Sequence, residues 1–68
     1  MTKKQIKNLQ EGDIIFWLSM DDAYTVKCVY KSGVLTFHEW KHYIGATFVE
    51  YKFFKYDELQ DKSYGVIQ

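Results

Sequence analysis

The stretch from Leu9 to Met20, LQEGDIIFWLSM, sets the terms on which this chain can fold. Gly12-Asp13 punctuates its start, and Ile14 to Leu18 that follow are β-branched, aromatic or large in a run too short for a buried helix. It reads as a strand. Alternation puts Ile14, Phe16, Leu18 and Met20 on one face and Ile15, Trp17 and Ser19 on the other. Neither set is polar, so the strand is either buried on both sides or presents Trp17 to a partner.

A chain of 68 residues has room for one small core, because only about 60% of the unfolded surface can be buried at this size. The lone Cys28 has no internal disulfide partner, which excludes a stapled secreted scaffold and favours a reducing compartment. No apolar run approaches the ~18 residues of a membrane span. The expectation is a cytoplasmic protein without a membrane contact. All nine basic residues are lysines, balanced by nine acids. Without arginine there is no bidentate reader of guanine or phosphate, and neutrality removes the electrostatic footprint of a nucleic-acid protein. The Lys-, Ile-, Tyr- and Phe-rich composition suits an AT-rich coding sequence, as in a bacterial mobile element or phage.

In chain order, residues 1–8 form a basic leader that Ile6 and Leu9 can pin to the domain at 9–68. A tight connection is expected at 20–23, where two acids adjoin. Tyr24 to Lys31 alternates as a half-buried antiparallel strand, with Tyr24, Val26 and Cys28 toward the core. Ser32-Gly33 suits a hairpin turn with Gly33 at positive φ. Val34 to about Glu39 returns as a third strand. Ala46 to Tyr56 is a long fourth strand, in which Thr47, Val49, Tyr51 and Phe53 make the better core face. A helical turn at 57–61, acids first, precedes a short last strand at 63–67.

The segment 36–45 supports two structures. Thr36 and Glu39 fit a capping box and Gly45 a C-terminal cap, which gives a helix over 37–44 and a small α+β fold. As a strand the third element continues to Trp40 and a loop follows, giving a mainly β domain: a five-stranded antiparallel barrel or strongly curled sheet. The strand is preferred, because the hairpin needs a partner of matching length. A Gly-Asp turn into a strand, three further strands by hairpins, one helical turn and a short final strand resembles the Src-homology-3-like small barrels. The resemblance covers residues 9–67 through Leu9, Gly12, Asp13 and the DELQ turn. It implies a fold and carries no functional residue over.

His38-Glu39-Trp40-Lys41-His42 matches H-E-x-x-H, a zinc-hydrolase pattern. On a helix the two histidines lie about 6 Å apart along the axis and can share a metal whose water the glutamate activates. Against this, Phe48 stands where the longer metzincin pattern needs a third ligand, Lys41 adds a positive charge between the ligands, and the chain is short of material for a cleft. As a strand the histidines are about 13 Å apart. The match is therefore taken as coincidental, with no enzyme activity and no cofactor expected, and His38 and His42 as polar rim residues beside Trp40.

Aromatic residues make 19% of the chain, more than so small a core can absorb. Rings left partly exposed serve well as interface anchors. The leading expectation is a non-enzymatic protein-binding module using Trp17, Trp40, Tyr30, Tyr43 and Tyr56, with Glu50 and Lys52 on the rim; an accessory or inhibitor protein of a host machine fits the size. A second copy of the chain is one candidate partner, through a strand edge or aromatic face. The alternative is single-stranded nucleic-acid binding, with rings stacking bases and Lys27, Lys31, Lys52 and Lys55 following the backbone.

Overall fold

The computed structural model describes residues 1–18 and 22–68. Its elements are α1 (Lys3–Lys7), β1 (Ile14–Trp17), β2 (Ala23–Val29), β3 (Gly33–Lys41), β4 (Thr47–Lys55), α2 (Tyr56–Leu59) and β5 (Tyr64–Ile67). The five strands form one antiparallel sheet in the order β4-β3-β2-β1-β5, so among the described residues β4 and β5 are open edges. The fold is mainly β, with the short helix where the acidic turn predicts it. The helix at 37–44 is not formed, because Gly33–Lys41 pairs along its whole length with β4, from Gly33 opposite Lys55 to Lys41 opposite Thr47. Of the tight connection expected at 20–23, residues 20 and 21 lie outside those described, as do the places of Ser19 and Met20, while Ala23 already belongs to β2.

Turn chemistry explains where the strands begin and end. Gln10 to Asp13 closes a β-turn, Asp13 N–H to Gln10 carbonyl at 3.1 Å, with the Asp13 carboxylate accepting from Gln10 N–H at 2.8 Å. Gly12 occupies its third position at φ 94°, where a turn of this hand wants glycine. Tyr30 N–H donates to the Gly33 carbonyl at 2.8 Å, leaving a two-residue loop of Lys31 and Ser32. Gly33 does not take positive φ as expected. It is glycine for want of space: a Cβ there would overlap the Phe54 carbonyl oxygen and the Phe53 ring.

One face of the sheet packs on the core, and Leu9, Ile15, Val26, Val34, Phe54 and Leu59 are buried there. Met1 and Ile6 pack against the same cluster, tying α1 to the domain. Register decides which side chains meet: Ile15 lies opposite Tyr24 and Val66, Val26 opposite Thr36, and Val34 opposite Phe54. Thr36, the one buried polar side chain among the described residues, donates its hydroxyl to the Lys52 carbonyl at 2.7 Å.

Two face assignments are corrected. On β4 the inward set is Phe48, Glu50, Lys52 and Phe54, and Val49, Tyr51 and Phe53 are turned outward and exposed. Both faces of that strand are apolar, and α2, which follows at once and brings Leu59 over the core, selects the one carrying Phe54. Cys28 does not continue the inward alternation of Tyr24 and Val26. A register shift between Val26 and Cys28 sets the cysteine opposite Leu35, half-buried on the other side.

Candidate functional site

Pairing of β3 with β2 ends at Phe37 opposite Thr25, whereas pairing with β4 runs on to Lys41. Among the described residues, 38–41 and 47–50 are thus a two-stranded arm, and the molecule is drawn out to 41 × 24 × 17 Å. His42 N–H to Ala46 carbonyl and Gly45 N–H to His42 carbonyl, each 2.8 Å, close its tip as a three-residue loop with Gly45 at φ 89°. An isolated two-stranded ribbon is marginal in water, so something must hold this one.

Ring stacking does. Across the ladder Trp40 lies opposite Phe48, their centroids 5.6 Å apart and planes 23° from parallel. His38 stacks on Trp40 at 5.7 Å, and His42 meets Phe48 at 6.0 Å and Tyr43 at 4.1 Å. At the base, Tyr24 approaches His38 at 5.5 Å, and Phe54, Tyr64 and Trp17 follow at 5.4–5.6 Å. The result is one unbroken row of rings on the inner face, buried at Phe54 and open at the tip. Trp40 is 42% exposed, Phe48 44% and Tyr43 92%.

Charge borders this row. Lys52 holds its ammonium 5.0 Å from the ring centres of both Trp17 and Phe54, a cation–π placement. Glu50 lies opposite His38. Burial, and then the nearby Glu50 and Asp22, raise the Tyr24 phenol above its usual range. Burial, with Glu58 and Asp61, does the same for Tyr64. Both phenols stay neutral at physiological pH and can serve as hydrogen-bonding tips.

The candidate residues divide into two groups. Trp17, Lys52, Glu50, Trp40 and Tyr43 share the inner face and the arm. Tyr30 and Tyr56 are elsewhere, in a groove between α1 and the β2–β3 turn that Lys3, Lys7 and Lys31 also line. The Tyr56 hydroxyl donates to the Tyr30 carbonyl there. Phe48 completes the stack and is not singled out by sequence, though placing the hairpin turn at 43–45 pairs it with Trp40. Outside the inner face, Val49, Tyr51 and Phe53 make a second apolar strip, with Lys27 over the Tyr51 ring at 5.0 Å.

The HEWKH segment lies on β3 and the start of the loop, not on a helix. His38 Nδ1 donates to the Ala23 carbonyl at 3.0 Å and its Nε2 lies 3.9 Å from an Asp22 carboxylate oxygen, while His42 Nδ1 accepts from Ile44 N–H at 3.4 Å. The two rings are engaged with different partners at opposite ends of the Trp40–Phe48 stack. Among the described residues no three His, Cys, Asp or Glu side chains converge as metal ligands. Among them, too, no helix is long and apolar enough to cross a membrane. Compared with models of known protein families, with curated proteins and with solved structures, the chain finds no match.

Proposed function

We propose that this is a non-enzymatic protein-binding module that engages its partner through the β3–β4 arm. The supporting observation is the stacked Trp40–Phe48 pair, which stays above 40% exposed on both rings and carries Tyr43 at its end. Rings pre-ordered in this way bring large contact area at little entropic cost, the profile of interface anchors. In this reading the H-E-x-x-H match is incidental and the histidines serve as members of the stack. A meander of four strands, a helical turn, and a fifth strand returning to the first also supports a Src-homology-3-like arrangement, here left open along β4. A cytoplasmic setting accords with the free thiol of Cys28.

Single-stranded nucleic-acid binding is the second reading, favoured by Lys27 and Lys52 held over rings. One experiment separates them: capture by immobilised wild-type protein and by folded Trp40→Ala protein, each at about 50 and about 200 mM salt. Protein retained by wild type, lost by the variant and indifferent to salt supports the first reading. Nucleic acid retained at low salt and released at high salt supports the second.

A further inference from the structure

Building on the protein-binding reading, we infer that the partner of β4 is β4 of a second copy, paired antiparallel about a two-fold axis at Tyr51. β4 is nine residues long, lies at the sheet edge, and is exposed on both faces over most of its length. Tyr51 is 57% exposed, and Val49 and Phe53 exceed 40%. Long apolar edges of this kind are templates for another strand.

Parity selects the residues that can pair. At the two ends of the β3–β4 ladder, Tyr56 N–H donates to Ser32 carbonyl and His42 N–H to Ala46 carbonyl. With no register shift between, the even-numbered residues of β4 bond to β3. Thr47, Val49, Tyr51, Phe53 and Lys55 therefore aim their N–H and C=O groups at the open edge. A two-fold axis at Tyr51, the midpoint of the strand, sets each of these opposite another of them: Thr47 with Lys55, Val49 with Phe53, and Tyr51 with itself. All nine residues overlap and about ten intermolecular hydrogen bonds form.

Charge then selects the register. About Tyr51, Glu50 faces Lys52 of the second copy twice over, in non-hydrogen-bonded pairs with Cα atoms about 4.5 Å apart, where side chains touch. A two-fold axis one residue earlier sets Glu50 against Glu50, and one residue later Lys52 against Lys52. Either neighbour in register juxtaposes like charges. Among the described residues neither Glu50 nor Lys52 is in a salt bridge, and Lys52 exchanges its place over the Trp17 and Phe54 rings for Glu50 of the second copy. On the outer face Val49, Tyr51 and Phe53 of the two copies join into one apolar band. The interface is isologous and closes on itself, and the other edge, β5, has only four residues.

The test is sedimentation equilibrium of the full chain across a wide concentration range, with Glu50→Lys, Lys52→Glu and the double variant, each first shown to be folded by circular dichroism. Wild type should be a dimer, and each single reversal should weaken association about tenfold or more. The double variant should regain wild-type association, because exchanging both charges restores an opposite-sign pair at the same two positions. A wild-type monomer at every concentration overturns the proposal while leaving Trp40-dependent capture of another protein intact. A dimer indifferent to both single reversals, or not restored by the double one, overturns the register. Loss of Trp40-dependent capture in a charge-sensitive dimer would instead retire the broader reading for partners other than itself.

Discussion

Trp40 and Phe48 face each other across the β3–β4 ladder as a near-parallel stack, 5.6 Å between centroids, three residues beyond Phe37, where pairing of β3 with β2 ends among the described residues. The pair both stiffens the arm and remains open to solvent. Trp40→Ala should therefore separate stability from binding: a cost within about 1 kcal/mol, as for other cross-strand pairs, but a tenfold or greater loss in affinity. Denaturant unfolding beside a binding titration checks both.

Thr36 and Leu59 report on the core. Thr36→Val keeps the shape but removes the hydroxyl that reaches the Lys52 carbonyl, at a cost of about 1 kcal/mol. Leu59→Ala removes a fully buried side chain and should cost about 2–5 kcal/mol, enough to unfold much of so small a domain. Urea midpoints order the two.

Gly33 and Gly45 are glycines for different reasons, and alanine should tell them apart. At Gly45 a Cβ meets open space and the penalty is the φ of 89° alone, about 1 kcal/mol. At Gly33 it collides with the Phe54 backbone, so Gly33→Ala should cost at least about 1–3 kcal/mol and broaden the amide signals of both strands. Thermal melts and amide spectra give the comparison.

These glycines also show where sequence reading succeeds and fails. Turn residues and alternation place all five strands and the acidic helical turn, since local chemistry dictates them. Sequence assigns Gly33 a backbone reason when its reason is tertiary, the approach of β4. The face of β4 is not readable because Val49, Tyr51 and Phe53 are as apolar as Phe48 and Phe54, and only the docking of Leu59 distinguishes them. Cys28 is misplaced by alternation because a bulge leaves no mark in an alternating pattern. Among candidate site residues, Trp40 and Tyr43 are legible as surplus rings, while their connection through Phe48 depends on the register of the hairpin.

Asp61 gives a pH prediction. Its carboxylate accepts from the Ser63 N–H at 2.8 Å, and that bond, then the Ser63 hydroxyl and the Met1 ammonium, hold it below the usual carboxylate range. A folded value below the unfolded one means the ionised form favours folding. The contribution is complete above the unfolded value of about 3.9 and fades as pH falls through the folded value. Wild type should exceed Asp61→Ala in stability at neutral pH by a constant margin that closes below about pH 4. Denaturation at stepped pH measures it.

The extended, ring-stacked arm is tested most directly by the backbone chemical shifts of residues 34–48, with and without one equivalent of zinc. Extended shifts through Lys41, contacts between the Trp40 and Phe48 rings, and histidine signals that ignore zinc are the predicted result. Helical shifts over 37–44, or zinc-dependent movement of His38 and His42 together, would contradict it and restore a metal-dependent chemistry at HEWKH.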